Sequence, residues 1–175
     1  AAETEEAKGT YTDAGATAID SLDGDLTVSS VSTVNTGAVG SYTVTYSVSD
    51  ANGNAAVEVV RTVTVQDTTV PVITLNGDAT MSVEAGSSYS DAGASASDNV
   101  DGDLTGSIVV ASTVDTTTVG SYTVTYNVSD AAGNAAVAVV RAVTVVEGAP
   151  GENFGKVVTY TNLATDLMAQ VTIDG

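Results

Sequence analysis

The heptapeptide Gly-Ser-Tyr-Thr-Val-Thr-Tyr stands at residues 40–46 and recurs unchanged at 120–126. In each copy Tyr, Val and Tyr alternate with Ser or Thr, a period of two that predicts a β-strand with one buried and one exposed face. A turn rich in Asp, Asn and Gly follows at 49–54 and at 129–134, and these residues favour tight turns. A second Val-rich strand comes next in both places. The stretch therefore predicts a duplicated pair of strands.

The duplication extends beyond this pair. Tyr-Thr-Asp-Ala-Gly at 11–15 recurs as Tyr-Ser-Asp-Ala-Gly at 89–93, 78 residues later. Between 40–46 and 120–126 the offset is 80, so a connecting loop differs by two residues, which a loop absorbs at little cost. A repeat of this length indicates tandem modules. Several short strands with Gly- and Asp-rich turns predict an all-β fold of antiparallel sandwiches.

Composition and charge exclude several classes of function. Of 175 residues, 22 are Asp or Glu and 4 are Lys or Arg, giving a net charge of -18, and such a chain repels the phosphates of nucleic acids and anionic membranes. The absence of Cys and His excludes disulfides, thiolate or imidazole metal sites and the commonest general base. No apolar run reaches the roughly 18 to 20 residues of a membrane-spanning helix. We therefore expect no enzymatic activity, no nucleic-acid binding and no membrane insertion.

Five motifs of the second copy, in this order, resemble the bacterial immunoglobulin-like repeats first named from a pesticidal crystal protein, which are similar in style to hyalin repeats. The motifs are Pro-Val-Ile-Thr-Leu-Asn-Gly (71–77), Tyr-Ser-Asp-Ala-Gly (89–93), Asp-Asn-Val-Asp-Gly-Asp-Leu-Thr (98–105), Gly-Ser-Tyr-Thr-Val-Thr-Tyr (120–126) and Asp-Ala-Ala-Gly-Asn (130–134). The resemblance covers nearly all of 70–146 and most of 7–66. It implies two tandem immunoglobulin-like antiparallel β-sandwiches in a bacterial protein that is secreted or displayed on the cell surface.

The same resemblance assigns roles to four core residues. It implies that Tyr42 and Tyr122 are tyrosine-corner residues, and that Val44 and Val124 stand where antibody domains carry cysteine. It implies a fold and an extracellular location, but a fold of this kind implies no reaction.

The two modules begin differently. Residues 69–83 precede Glu84 in the second copy, whereas only residues 1–5 precede the equivalent Glu6. We therefore expect the first strand of the first module to be missing, which exposes unpaired backbone and apolar side chains. The predicted divisions are an incomplete module at 1–66, a complete module at 67–147, and a linker with a β-prone tail at 148–175.

The tail is a candidate for the missing strand. Aligning Asn162 with Asn76 sets Val157 and Val158 against Pro71 and Val72. Strand addition between subunits then builds a head-to-tail filament, and a mature start at Ala-Ala-Glu, as after removal of a signal peptide, fits this hypothesis. The alternative is that the chain is an excerpt of a longer array, with neighbouring modules as its partners. The expected subunit contacts are Val157, Val158, Tyr160, Leu163, Leu167 and Val171.

The strongest chemical motif is Asp-x-x-Asp-Gly-Asp, which occurs once in each copy. Its residues are Asp20, Asp23 and Asp25 in the first copy and Asp98, Asp101 and Asp103 in the second. Three carboxylates in six residues repel one another unless a hard cation shares their oxygens, and calcium accepts irregular loops of oxygen ligands. The alternative is an Asx-turn that faces water. The motif lacks the spacing of an EF-hand. Calcium is therefore the predicted cofactor.

Other polar positions repeat with the modules. Asp67 and Glu147 end equivalent strands, where a cation could bridge each to a neighbouring loop. Arg61 and its equivalent Arg141 are expected to form structural ion pairs. A Val-Val step at 59–60 interrupts the alternation and predicts a β-bulge near Arg61. Asp50 with Asn54, and their equivalents, are expected to shape turns.

These features favour a mechanical function. We expect a non-catalytic building block of a bacterial surface stalk, filament or adhesin. The alternative is a module that binds a carbohydrate or a host protein, although an aromatic content of 5% without Trp argues against a sugar-binding face.

Overall fold

The computed structural model describes residues 2–148. All regular elements of this part are β-strands except a short 3-10 helix at Thr105–Ser107. The fold is all-β and corresponds to tandem immunoglobulin-like sandwiches, as predicted. The described residues form two compact units. The first contains residues 2–74, 94–109 and 126–139, and the second contains 75–93, 110–125 and 140–148.

The first copy lies entirely in the first unit. Its strands are β1 (Ala2–Glu6), β2 (Ala18–Asp20), β3 (Gly24–Leu26), β4 (Ser29–Ser32), β5 (Gly40–Ser47) and β6 (Val59–Gln66). Four of them form a sheet in the order β1-β6-β5-β4, while β2 and β3 form a two-stranded sheet. Strand β1 runs parallel to β6, and β5 is antiparallel to both of its neighbours.

The second copy contributes strands to both units. They are β7 (Val72–Leu75), β8 (Thr80–Glu84), β9 (Ala94–Asp98), β10 (Gly102–Asp103), β11 (Val109–Ser112), β12 (Gly120–Asn127) and β13 (Val139–Val146). One sheet has the order β10-β9-β7 and the other β11-β12-β13-β8. Strand β8 pairs in parallel with β13 in the register that β1 keeps on β6. The repeat is therefore structural as well as sequential.

The core of the first copy follows from the period-two pattern. Val44 and Tyr46 of β5 and Val63 of β6 form a buried cluster, and Tyr11 and Val28 pack against it. The alternating Ser and Thr side chains of β5 are more exposed. Burying each of these Val side chains stabilises the fold by roughly 1.5–3 kcal/mol. The positions of the valines therefore determine which face of each strand packs against the core.

The tyrosine corner is present in both copies. The hydroxyl of Tyr42 donates to the carbonyl oxygen of Ala38 at 2.8 Å, and that of Tyr122 donates to the carbonyl oxygen of Thr118 at the same distance. This contact ties the start of a strand to the backbone of the preceding turn. The role expected for the two tyrosines is confirmed.

The prediction of a bulge near Arg61 is wrong. The pairing of β5 with β6 continues without interruption through Val44 opposite Arg61. Val59 and Val60 are 63% and 51% exposed. Both valines are largely exposed within an uninterrupted ladder, so two adjacent valines there do not require two buried faces.

The first strand of the first copy was expected to be missing, and this holds for the counterpart of β7. The counterpart of β8 is present, because residues 2–6 form β1. The stretch 69–83 contains two strands, β7 and β8, separated by a turn in which Gly77 has a φ of 78°. Within the described residues, the first copy lacks a counterpart of β7 alone.

Candidate functional sites at the open sheet edge and the acidic junction

The two-stranded sheet of the first copy has an open edge. In the second copy β9 lies between β10 and β7, whereas the equivalent β2 pairs with β3 only. Ala94 and Ala96 of β9 are 9% and 4% exposed. Their equivalents in the first copy are more accessible, since Ala16 is exposed and Ala18 is half-buried. An uncovered strand edge of this kind is a template for the addition of another strand.

The outer face of this edge also differs between copies. In the second copy, Val72 and Thr74 of β7 and Ser95 and Ser97 of β9 line a shallow groove of about 340 Å³. None of the described residues that line it is aromatic. The equivalent of Ser97 in β2 is Ile19, which is 79% exposed. The first copy therefore presents an apolar side chain where the second presents a hydroxyl.

Arg141 shows the contacts that the repeated arginine makes in the complete copy. Its Nη1 donates to the carbonyl oxygen of Asp78 at 2.9 Å, and its Nη2 donates to those of Asn76 and Gly93 at 2.8 and 3.0 Å. Its Nε lies 3.2 Å from Oδ2 of Asp91. The guanidinium thus holds the backbone that follows β7 close to the loop that precedes β9. The arginine is buried, with 2% of its surface exposed.

Arg61 occupies the same position in the first copy but has different partners. Its Nη1 lies 2.6 Å from Oδ1 of Asp13 and 3.3 Å from Oε1 of Glu3. Its Nη2 donates to the carbonyl oxygen of Gly15 at 3.0 Å. Without a counterpart of β7, the two carbonyl contacts made by Arg141 to the segment after that strand are replaced by the Glu3 carboxylate. Structural ion pairs were expected for both arginines, and both are confirmed.

A hydrogen-bond network surrounds Arg61. The hydroxyls of Tyr46 and Tyr11 both donate to Oδ1 of Asp13, and the Arg61 guanidinium lies 5.4 Å from the centre of the Tyr46 ring. The hydrogen bond from Tyr46, followed by that from Tyr11 and the charge of Arg61, lowers the pKa of Asp13. Burial and the hydrogen bond to Asp13 raise the pKa of Tyr46 to about 12.

The first aspartate of each Asp-x-x-Asp-Gly-Asp motif shapes its own loop. Oδ1 of Asp20 accepts hydrogen bonds from the amides of Leu22 and Asp23 at 2.7 and 3.0 Å. Oδ1 of Asp98 does the same for Val100 and Asp101 at the same distances. These are Asx-turns, the alternative to a metal site that the sequence left open. In the second copy this carboxylate is buried, with Asp98 9% exposed.

The remaining aspartates of the motifs lie in different places. Oδ2 of Asp23 accepts from the amide of Ala51 at 3.1 Å, and Oδ2 of Asp101 accepts from that of Ala131 at 2.7 Å. Each therefore fixes its loop to the turn after the following long strand. Asp103 accepts from the amide of Thr105.

Those turns are formed as the sequence predicted. Oδ1 of Asp50 accepts from the amides of Asn52 and Asn54. Oδ1 of Asp130 accepts from the amide of Asn134 at 2.7 Å, and Oδ2 accepts from its side-chain amide at 2.8 Å. Burial acts to raise the pKa of Asp130, but these hydrogen bonds hold it below its usual value.

Glu6 connects the first copy to the start of the second. Its carboxylate accepts hydrogen bonds from the backbone amides and from the hydroxyls of both Thr68 and Thr69, at 2.6–3.2 Å. The bonds from Thr68 lower the pKa of Glu6 most, followed by those from Thr69, and bring it to about 2. The equivalent positions after β13 are Gly148 and Ala149, which have no hydroxyl. This clasp is therefore specific to the junction between the two copies.

An acidic cluster lies beside the clasp. One carboxylate oxygen from each of Asp67, Asp98 and Asp101 lies within 4.8 Å of the other two. In the described part of the chain this is the one group of three such side chains close enough to share a metal ion. Asp103 is not in the group, and neither is any aspartate of the first-copy motif. The sequence raised a cation bridge from Asp67 to a neighbouring loop without identifying that loop, and in the structure the carboxylates closest to Asp67 are those of Asp98 and Asp101.

The tail predicted to supply the missing strand lies outside the described residues. This applies to all six of its expected contact residues, which are Val157, Val158, Tyr160, Leu163, Leu167 and Val171. Among the described residues, no helix is long and apolar enough to cross a membrane.

Comparison with known proteins bears on the fold and location. The family model described as "Bacterial surface protein, Ig-like domain" matches twice, at residues 5–65 and 73–145. The match supports a bacterial immunoglobulin-like repeat, while the narrower pesticidal-crystal type remains a prediction. The chain is also similar to the crystal structure of a lipoprotein from Bacteroides thetaiotaomicron, at 26% identity over 45% of this chain and 39% of that one, with a TM-score of 0.40. No curated protein sequence matches the chain.

Proposed function

Because the chain belongs to the family of immunoglobulin-like domains of bacterial surface proteins, we propose that it is a non-catalytic building block of an extracellular filament or stalk. Tandem immunoglobulin-like copies without a recognisable catalytic group suit a structural role better than a chemical one. The observation that supports assembly is the open edge of β2, since its equivalent in the second copy is covered by β7.

The occupant proposed for this edge is the segment 157–173 of a second copy of the chain. Residues 149–175 follow the last described residue and provide more length than the four-residue strand β7 requires. Donation by one copy to the next makes the contact heterologous, so that assembly continues head to tail. Backbone hydrogen bonds provide affinity in strand addition, and the alternating side chains provide specificity.

Arg61 supports the addition of a strand at this edge, here in the register that sets Asn162 in the place of Asn76. In the second copy the carbonyl oxygen of Asn76 accepts from Nη2 of Arg141 at 2.8 Å. An incoming strand in this register brings the carbonyl of Asn162 to Arg61. The arginine then gains a neutral acceptor in addition to its two carboxylates.

The outer face supports the same register. In this register Tyr160 would take the place of Thr74, and Thr74 lines the same groove as Ser97, the equivalent of Ile19. An aromatic residue next to a β-branched residue on neighbouring strands contributes roughly 0.2–1 kcal/mol relative to alanines. The exposed side chain of Ile19 would thus have an apolar partner in the ring of Tyr160.

Negative-stain electron microscopy of the full chain, beside a version that ends at Gly148, tests the proposal. We expect filaments from the full chain and short particles from the shortened one. Short particles from both would show that the tail does not donate a strand, and would favour a segment of a longer stalk. The melting curve of the shortened chain controls for loss of folding.

A further inference from the structure

The junction between the two copies contains a carboxylate oxygen with no partner. Oδ2 of Asp98 is buried and has no hydrogen-bond partner among the described residues, while Oδ1 of the same side chain is engaged by two amides of its turn. A buried carboxylate oxygen left unpaired is costly, because burial removes the water that would solvate it. The side chain of Asp98 belongs to the group of three carboxylates described above.

The two other carboxylates are each bound to the backbone through one oxygen. Oδ1 of Asp67 accepts from the amide of Thr69 at 3.2 Å, and Oδ2 of Asp101 accepts from that of Ala131. Asp67 is also buried, at 7% exposure. Each of the three side chains is therefore held in place by amides while it retains an oxygen for another ligand.

No basic side chain of the described residues neutralises this group. The ion pairs in this part of the chain are made by Arg61 and Arg141, with Glu3, Asp13 and Asp91. The negative charges of the three carboxylates are therefore not balanced by a basic side chain of the described residues.

We propose that Asp67, Asp98 and Asp101 bind a calcium ion at the junction between the two copies. Oxygens that share a calcium ion at 2.3–2.6 Å lie at most about 5 Å apart, and the three carboxylates meet this condition at 4.8 Å. The donor set is all oxygen and anionic, which suits calcium and not the softer metals. Carbonyl oxygens and water can complete the six to eight ligands that calcium takes.

The ion connects two parts of the first unit. Asp67 follows β6 of the first copy, Asp98 is the last residue of β9, and Asp101 lies in the loop between β9 and β10. The backbone on either side is already fixed, since Asn134 donates to the carbonyl oxygen of Asp67 at 3.1 Å and Glu6 binds Thr68. Bound calcium would therefore restrict motion at a junction whose backbone is already held by these hydrogen bonds. In a stalk this couples its rigidity to extracellular calcium.

The first copy provides a matched control. Asp20 and Asp23 form the same Asx-turn as Asp98 and Asp101, but among the described residues neither belongs to a group of three carboxylates close enough to share a metal ion. The substitutions Asp67→Asn and Asp98→Asn remove a ligand charge at the junction and keep an amide oxygen for the backbone contacts. Asp20→Asn makes the same change where no site is proposed.

Isothermal titration of the full chain with calcium chloride, at 0.15 M salt and against magnesium as competitor, tests the inference. We expect one calcium site per chain that D67N and D98N weaken at least tenfold and D20N leaves unchanged. Melting curves with calcium and with EDTA should differ for the native chain and D20N, but not for D67N. The inference is overturned if the native chain shows no saturable site, or if D20N weakens binding as much as D98N. Filament formation plays no part in this readout.

Discussion

Arg141 donates to the carbonyl oxygen of Asn76 at 2.8 Å, so that a core arginine fixes the chain as it leaves β7. The equivalent Arg61 has no such carbonyl, because no strand of the described residues occupies that place in the first copy. The same difference appears in burial, since the side chain of Arg141 is 3% exposed and that of Arg61 is 16% exposed. The second copy thus shows what the first requires for completion.

Replacing the two arginines should have unequal effects on stability. Arg141→Lys loses the forked contacts to three carbonyls in a buried site, and we expect the free energy of unfolding of the second copy to fall by about 2–4 kcal/mol. In the chain that ends at Gly148, Arg61→Lys should lower the free energy of unfolding of the first copy by about 1 kcal/mol, because the site of Arg61 is more accessible to solvent. Urea denaturation of both variants measures the difference, and equal losses would contradict it.

Thr159 tests the register of the proposed donor strand. With Asn162 at the position of Asn76, Thr159 takes the place of Ile73, which is 8% exposed. A peptide of residues 157–173 with the substitution Thr159→Ile should therefore bind the first copy roughly tenfold more tightly, since about 1.4 kcal/mol of added apolar burial gives that ratio.

The neighbouring Val158 provides the control for that experiment. A slip of one residue turns every side chain to the other face. If the strand binds with that slip, Val158→Thr will weaken binding and Thr159→Ile will have little effect. Fluorescence titration of labelled peptides distinguishes the two registers.

Asp13 should contribute to stability against acid. Its pKa is lowered in the folded chain by the hydrogen bonds from Tyr46 and Tyr11 and by the charge of Arg61. The unfolded chain therefore binds the proton more tightly. The stabilisation is present above the ordinary pKa near 4 and is lost as the pH falls through the lowered value. Melting temperatures from pH 6 to 2 should decline less steeply for Asp13→Asn; an unchanged slope would contradict this.

Tyr46 should make the fold sensitive to base. Burial and the hydrogen bond to Asp13 raise its pKa from 10.0 to about 12. A raised pKa favours the protonated form in the folded chain, so this contribution is intact below pH 10 and is lost as the pH rises towards 12. Absorbance at the phenolate band during an alkaline titration should show a late component that Tyr46→Phe removes. If the late component persists in Y46F, the assignment is wrong.

The sequence predicted those features that arise from local pattern or exact repetition. The alternation at 40–46 predicted the buried faces, and the Asp50 turn followed from residues that bond their own backbone. An ion pair of Arg61 was expected because the arginine recurs at the same place in both copies.

Features that depend on distant residues could not be read from the pattern. The Asp-x-x-Asp-Gly-Asp motif predicted ligands within one loop, and Asp67 was expected only to reach some neighbouring loop. The structure brings Asp98 and Asp101 of the motif to Asp67, which lies 31 residues before Asp98. The strand at 2–6 was missed because Ala-Glu-Thr-Glu-Glu has little apolar character. It is held by parallel pairing with β6 rather than by burial of large side chains.

Binding of a synthetic peptide of residues 157–173 to the chain that ends at Gly148 tests the central claim most directly. We predict one peptide bound per chain, an increase in the melting temperature of the first copy, and weaker binding when Arg61 is replaced by lysine. No binding at peptide concentrations up to about 1 mM, where even a contact of about 4 kcal/mol is half occupied, would contradict the claim that the tail completes the first copy.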